Sequence, residues 1–448
     1  MTLELLPLID DVPASVPLRH NPDFRLDGFP INDTLRFVRK IGAGTYGLIY
    51  LVENIETGAR YAAKMVMTDP PVKNGGRIDV DENKKHIQRR MYEYFFRGAR
   101  GVVELDLAVV AHDGARCPFL KEIALHLRVS NHPNVVTIHK VLNLGRVAVM
   151  TLMDYFPEGD LFGNIIDNKL FLEPPAWQDK QKLMKNCMLQ LIEVVSHCEA
   201  QGVYHCDLKP ENVMIRYNRR YKRPHDGPLI DYNELQIALI DFGLAITSDT
   251  ICCNACRGSS FYMAPERIVN FNTSSLIKSL VDMRQYPTVE NATSASGAKM
   301  FPTLAGDIWS LGVLFINITC ARNPWPIANI NDQNDVFGTY ILQNRDILAS
   351  ILPISHRFNR LLDEIFRLSP NERLSLPELY GKIATIDFFS NEVVEPEKNA
   401  NSVVYNPQLS TPPYTDTDYM ASTPEYFKQR GGGVHYSQVC CVSNRLDT

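Results

Sequence analysis

The feature that most restricts the fold is a run of glycines set between strands. Ile41-Gly42-Ala43-Gly44-Thr45-Tyr46-Gly47-Leu48-Ile49 spaces three glycines as G-x-G-x-x-G. Such spacing lets a hairpin bring backbone N–H groups up to phosphates and adopt φ angles closed to other residues. Dinucleotide sites share the pattern, but there a helix follows the last glycine. Here the continuation, LIYLVENIETGARYAAKMV, reads as strand, turn and strand. Taken by itself the motif also fits a glycine-rich turn that holds no ligand.

The rest of the chain keeps strands early and helices late. Segments 35–41, 47–53 and 60–66 carry β-branched and aromatic residues between turns. Residues 118–130 show helical spacing, with Phe119, Ile123 and Leu127 on one face. Strands return at 135–142 and 146–153. Residues 178–200 then put Leu183, Cys187, Leu191 and Val194 along one stripe, and 306–320 and 357–368 are helical in character. This order predicts an α+β fold of two lobes: a small lobe of five strands with one key helix, a hinge near 154–160, and a larger, mainly helical lobe. The expected boundaries are a flexible leader over 1–33, a two-lobed domain over 34–391 that changes lobe at 154–155, and a disordered tail over 392–448. Stretches 70–116, 217–234 and 270–303 interrupt the pattern as long polar insertions. Thr411-Pro and Thr423-Pro in the tail match proline-directed phosphorylation, a match that chance also supplies.

Composition excludes several classes of function. The net charge of −5 over 448 residues gives no field for nucleic acid or an anionic membrane. The 10 cysteines form no pair of C-x-x-C pairs, which reads as reduced, intracellular thiols. The opening MTLELLPLIDDVPASVP lacks the basic start and apolar run of a signal peptide, and no membrane span is expected. The cytoplasm, the nucleus or both follow as the expected compartment.

Five further motifs carry chemistry. Lys64 sits in Tyr61-Ala62-Ala63-Lys64, inside an apolar strand, where an unpaired ammonium is costly. A carboxylate and triphosphate oxygens would satisfy it, and Glu122 on the predicted helix is the natural partner; snorkelling from an edge strand is the alternative. Tyr204-His205-Cys206-Asp207-Leu208-Lys209-Pro210-Glu211-Asn212 is a loop between a helix and an apolar segment. In it Asp207 can take a hydroxyl proton, Lys209 can neutralise a phosphoryl group in flight, and Asn212 suits Mg²⁺. Leu239-Ile240-Asp241-Phe242-Gly243 ends an apolar run on a carboxylate placed to bind a metal. Arg257-Gly258-Ser259-Ser260-Phe261-Tyr262-Met263-Ala264-Pro265-Glu266 is followed by Gly306-Asp307-Ile308-Trp309 and by Arg373, with Glu266 and Arg373 predicted to form a buried ion pair.

In this order and spacing the motifs resemble the eukaryotic protein kinases from about residue 35 to 390. KPEN after Asp207 looks like the serine/threonine type, and the chain is similar in detail to fungal regulatory kinases of meiosis and glucose signalling. The resemblance implies ATP and Mg²⁺ as cofactors and protein substrates. It implies Asp207 as base and Lys209 on the γ-phosphate, with Asn212 and Asp241 on the metal. It places residues 41–49 and Lys64 on ATP, with Ile49 packed on adenine, Ala62 above adenine, Met153 as gatekeeper, the backbones of Asp154 and Phe156 on adenine, and Asp160 on ribose or substrate. Ser259, Glu266, Arg373 and Glu211 form the substrate platform.

The chain departs from that family at one point. The usual His-Arg-Asp reads His205-Cys206-Asp207, and residues 251–256, Ile-Cys-Cys-Asn-Ala-Cys, carry no hydroxyl. The arginine that normally pairs with a phosphorylated loop and its usual acceptor are missing together. Activity without activation-loop phosphorylation is the expectation, although Thr247, Ser248 and Thr250 lie just upstream. Cys252, Cys253 and Cys256 read either as redox sensors or, more simply, as small packing residues. Asp160 and Glu211 occupy positions that favour Arg three residues before the target, while Asn317 makes a second arginine less important. Two other classes stay in view: a scaffold that keeps the fold without the chemistry, and a kinase of lipids or small molecules.

Overall fold

A computed structural model describes residues 23–44, 47–68, 73–74, 77–99, 101–291, 294–329 and 336–389. The chain forms two compact units. The first runs to Leu105 and resumes over Lys140–Tyr155; the second takes Asp106–His139 and the chain from Phe156.

The first unit is an antiparallel sheet built from β1 (Leu35–Ala43), β2 (Gly47–Asn54), β3 (Arg60–Met67), β4 (Val102–Leu105), β5 (Ile138–Leu144) and β6 (Ala148–Asp154). Its order is β1-β2-β3-β6-β5-β4, six strands rather than the five read from sequence. The extra edge strand β4 comes from the 70–116 stretch, which is not a bare loop. The longest element of that stretch is helix α1 (Val80–Phe96). Asp79 caps α1 by accepting the Glu82 N–H, and Asp81 and Glu82 favour its positive end. Ile87, Met91 and Phe95 recur every fourth residue and are buried, with Phe95 edge-on to Phe37 at 4.9 Å. Each such side chain contributes on the order of 2 kcal/mol by burial, so α1 belongs to the core of this unit.

The predicted leader is likewise ordered in its final part. Leu26 and Ile31 are buried, Phe29 and Phe37 share a backbone hydrogen bond, and Gln88 of α1 donates to the Phe24 carbonyl. The folded chain therefore begins by residue 23 rather than 34; residues 1–22 and the tail from 390 lie outside the described residues.

In the second unit the short helix α2 (Lys121–Val129) carries Glu122, α3 (Leu161–Ile166) follows Asp160, and α4 (Lys180–Ala200) buries Leu183, Cys187, Leu191 and Val194 completely. A two-stranded ribbon, β7 (Val213–Tyr217) with β8 (Leu235–Leu239), flanks the motif loops. The 217–234 stretch joins these strands and is tied down by an ion pair between Arg223 and buried Glu234. Then come β9 (Thr250–Cys252), α5 (Pro265–Ile268), β10 (Thr288–Asn291), β11 (Ser294–Pro302) and α6 (Thr303–Cys320). Helix α6 is long and apolar enough to cross a membrane by length and composition, yet 94% of it is buried within this unit. It is the central core helix, and the motif loops hang on it.

Candidate active site

Register in the first unit places Ile49, Ala62, Lys64 and Met153 on one face of the sheet. Ala63 and Met65 are buried in the core, so Ala62 and Lys64 point to the other side. Ala62 stands opposite Met153 and Lys64 opposite Ile49 and Thr151. Asp154 ends β6 opposite Tyr61. Ile41, Gly42 and Ala43 close β1, with Gly42 opposite Ile49 and Ala43 opposite Leu48. The Gly44 N–H donates to the Gly47 carbonyl at 3.0 Å, and Thr45 and Tyr46 lie outside the described residues.

The glycines do not use the φ angles that the sequence reading reserved for them. None of Gly42, Gly44 and Gly47 has a positive φ. A Cβ on Gly47 would stand 2.1 Å from the Met65 carbonyl oxygen, so that glycine is required by the close approach of β2 to β3. A Cβ on Gly44 would meet nothing within 4 Å.

The second unit gathers a denser constellation. Asp207 Oδ1 accepts the Ser259 hydroxyl at 2.8 Å, and Asp207 Oδ2 accepts the Asn212 amide at 3.1 Å. Lys209 Nζ lies 3.2 Å from Asp207 Oδ2 and donates to Ser259 Oγ at 3.0 Å. Burial works against the Lys209 charge, but Asp207, Glu211 and Asp241 outweigh it and hold its pKa above the ordinary lysine value. Asn212 donates its amide to both the carbonyl and the carboxylate of Asp207, so its oxygen is the group left to face a ligand. Its backbone carbonyl accepts from Ile240 N–H, which ties it to the strand end bearing Asp241.

Asp241 has φ +63°, a left-handed conformation that aspartate tolerates, and its carboxylate accepts the Gly243 N–H. Glu122 is close to the same turn, for a Cβ on Gly243 would lie 3.4 Å from Glu122 Oε2 and 3.1 Å from Asp241 Oδ1. Phe242 fixes the turn from below, buried with its ring 4.9 Å from His126 and 5.0 Å from His205. His205 Nδ1 accepts the Asp207 N–H, so Nε2 carries the proton and donates to the Ile240 carbonyl.

Beneath the loop lies a residue whose role the sequence did not reveal. Asp307, fully buried on α6, accepts the backbone N–H groups of His205 at 2.9 Å and Cys206 at 3.0 Å. Arg267 accompanies it: its Nη2 donates to the Thr303 carbonyl at 2.8 Å and lies 3.5 Å from Asp307 Oδ1, and its Nη1 reaches the Cys206 carbonyl at 3.5 Å. A Cβ on Gly306 would fall 2.4 Å from the Arg267 guanidinium, so Gly306 is what makes room for it. Glu266 and Arg373, paired in the sequence reading, are joined by two bonds of 2.7 Å with both side chains almost wholly buried. Arg373 also lies over Trp309, its guanidinium 4.9 Å from the ring centre.

The protein kinase domain family matches residues 110–289. The serine/threonine-protein kinase VHS1 of Saccharomyces cerevisiae is 35% identical over 363 residues, covering 79% of this chain and 70% of that protein. The chain belongs to the protein kinase family. The negative regulator of sexual conjugation and meiosis of Schizosaccharomyces pombe is 34% identical, over 81% of this chain and 62% of its own length. The serine/threonine-protein kinase SKS1 of S. cerevisiae is 33% identical, over 80% and 66%. These relatives make it a serine/threonine protein kinase, and the chain spans about two thirds of the length of each.

In kinase terms, the catalytic loop is 204–212 and the activation segment runs from Asp241 to Glu266. Cys206, at the position usually held by arginine, is buried, takes φ +63°, and has its thiol pushed up to about 12 by burial. Asp160 caps α3 by accepting the Gly163 N–H at 2.8 Å. Burial raises the Asp160 and Glu211 pKa values, and each feels a further nearby carboxylate, Glu211 that of Asp160. Phe156 is buried under the Arg216 guanidinium, 4.3 Å from its ring centre. Asn317 is buried, accepting the Tyr262 hydroxyl and donating to the Arg322 carbonyl.

Proposed function

We propose that this kinase transfers the γ-phosphoryl group of ATP to serine and threonine hydroxyls of proteins, with Asp207 as base, and that it does so as a signalling regulator without activation-loop phosphorylation. The observation that carries the reading is the Asp207 carboxylate: it already accepts one hydroxyl, from Ser259, at 2.8 Å, with the Lys209 ammonium 3.2 Å away. A carboxylate held as an acceptor by an amide and an ammonium is suited to receive a second, incoming alcohol and its proton. Lys209 neutralises charge that develops on the transferring group. Lys64, with Ala62 and Met153 on the same sheet face, supplies phosphate and adenine contacts. The backbones of Asp154 and Phe156 are assigned to the base.

The donor set fits Mg²⁺: one amide oxygen of Asn212 and one carboxylate of Asp241, hard oxygens held by the bond from Ile240 to Asn212. When bound, the metal neutralises phosphate charge. The protein's share is position, and nearly every polar atom of the catalytic loop is fixed by a partner.

Substrates carrying Arg three residues before the target fit the half-buried carboxylates of Asp160 and Glu211. Asn317, spent on Tyr262 and Arg322, offers little to a second arginine. The cytoplasm or nucleus is the proposed compartment.

Radiolabelled phosphate transfer tests the whole reading, with protein and lipid substrates offered side by side to the native protein and to Asp207→Asn. The expected result is labelled serine and threonine in protein, and a loss of about 10²- to 10⁴-fold in the variant. Equal transfer by the variant, preference for lipid, or nucleotide binding without transfer would each overturn it.

A further inference from the structure

The 270–303 stretch, read from sequence as a loop, ends in a hairpin that reaches the activation segment. Strand β11 pairs antiparallel with β10 on one edge and with β9, in the middle of the activation segment, on the other. Thr250 stands opposite Pro302, Ile251 opposite Phe301 and Cys252 opposite Met300. The ladder extends past the strand ends: Thr303 N–H donates to the Asp249 carbonyl at 2.8 Å and Cys253 N–H to the Lys299 carbonyl at 2.9 Å. Alternation along β11 turns residues 299, 301 and 303 toward β9. Met300 faces the other way, donating to the Pro287 carbonyl, and Pro302 occupies a position where β9 asks for no donor.

Side chains reinforce the pairing. Phe301 is fully buried, packed on Phe271 and Tyr286 at 5.3 and 4.6 Å. The Thr303 hydroxyl donates to the Ser248 carbonyl, and Lys299 Nζ to the Tyr286 carbonyl at 2.6 Å. Beyond β9 the segment is taken over by α5: Asn254 N–H donates to the Glu266 carbonyl and Cys256 N–H to the Arg267 carbonyl, both at 2.8 Å. From Asp249 to Cys256 the segment is laid against permanent backbone partners.

We propose that this inserted hairpin is a built-in latch for the activation segment, holding it by backbone pairing in a chain that has lost both halves of a phosphate–arginine latch. The inference rests on the kinase reading and names the element that makes phosphorylation unnecessary. Cys206 has no cation to offer a phosphate. The guanidinium beneath the catalytic loop is that of Arg267, already spent on Thr303, Asp307 and Cys206. The polypeptide supplies by strand pairing what a modification supplies elsewhere, so the working arrangement is set when the chain folds. Thr247 and Ser248, both exposed, remain available to a modifying kinase, and the latch predicts that phosphate there changes little.

The test compares the native protein, before and after phosphatase, with Lys299→Pro and Lys299→Ala. Lys299 is only partly buried, so proline there disturbs the strand through its ring and fixed φ rather than the core, while alanine keeps the ladder and both keep the carbonyl that accepts from Cys253. Lys299→Pro should lower kcat/KM on a peptide by about tenfold, the loss expected of one or two backbone hydrogen bonds. It should also raise amide exchange over 249–256 while leaving the affinity for a non-hydrolysable ATP analogue unchanged. Phosphatase treatment and Lys299→Ala should each change activity by less than about twofold. Activity lost on dephosphorylation, or full activity and unchanged exchange in Lys299→Pro, overturns the latch. A native protein that transfers no phosphate refutes the kinase reading, and the exchange comparison still decides whether the hairpin holds the segment. If Lys299→Pro does not fold, the double change Lys299→Gly and Met300→Gly weakens the same strand without a steric block and is read in the same way.

Discussion

The glycine hairpin of the first unit and the catalytic loop of the second are both assigned to phosphate, and they are built in opposite ways. In the catalytic loop His205, Asp207 and Asn212 are buried, and their polar atoms are bound to one another, to Ser259 or to strand ends. In the hairpin, Ile41, Gly42, Ala43 and Gly44 are partly exposed, and a methyl group added at Gly44 would touch nothing within 4 Å. Only Gly47 is hemmed in, because β2 crosses β3 there. The difference follows from what each must do. A base that accepts a proton at one atom gains from being over-determined, since misplacement of a reacting group is costly. A cover for a nucleotide, the role proposed for the hairpin, needs open space along its backbone more than a fixed partner at every atom.

The comparison breaks first if the second unit is not in fact held by its buried polar pairs. Arg373→Ala leaves Glu266 buried without its cation, and should cost about 3–5 kcal/mol of stability, read as a lower urea midpoint. A loss under about 1 kcal/mol, the scale of an exposed pair, would show that water reaches Glu266 and that this pair does not hold the platform.

The glycine substitutions sharpen the contrast inside the hairpin. Gly47→Ala drives a methyl into the Met65 carbonyl and should destabilise the protein by about 1–3 kcal/mol. Gly44→Ala should leave stability within about 0.5 kcal/mol, as for an unconstrained surface site. If Gly44 serves the nucleotide, that same variant should raise KM for ATP several-fold. Equal effects of the two changes on melting temperature would remove the distinction between a packing glycine and a ligand-facing one.

Much of this was legible in the chain, and the omissions share a cause. The alternation in 35–66 and the Leu183, Cys187, Leu191, Val194 stripe gave strands and a helix within a few residues of β1–β3 and α4. Those signals are local. Helix α1 was hidden because Ile87, Met91 and Phe95 are diluted by NKKH and QRR, so average polarity masked a correct four-residue period. The β9–β11 pairing joins residues 250 and 302 and leaves no local trace in a segment rich in Ser, Thr and Asn. Asp307 and Gly306 were visible as a motif but their purpose was not. Only the structure shows that Asp307 holds the His205 and Cys206 N–H groups and that Gly306 yields its side-chain space to Arg267. The packing of residues 23–33 was missed because scattered apolar residues without a period, Phe24, Leu26, Phe29 and Ile31, carry it.

The smallest expected effect concerns the two carboxylates assigned to substrate arginine. Burial raises the Glu211 and Asp160 pKa values above the ordinary carboxylate range. An acid with a raised folded pKa is protonated more readily in the native state, so its ionised form costs stability once pH rises through the window between the unfolded and folded values. That cost is present at neutral pH and vanishes in acid. Two outcomes of opposite sign follow. Glu211→Gln should slightly raise the melting temperature at neutral pH and leave it unchanged at a pH below the ordinary carboxylate range. The same variant should lose several-fold of the preference for a peptide with Arg three residues before its serine over the Ala peptide, by removing a charged partner. In the native enzyme that preference should shrink as pH falls through the raised carboxylate range, because the arginine keeps its charge while Glu211 and Asp160 take up protons. A preference that stays flat with pH and survives Glu211→Gln would assign Asp160 to its α3 cap alone and Glu211 to Lys209, leaving the arginine pocket without a residue to form it.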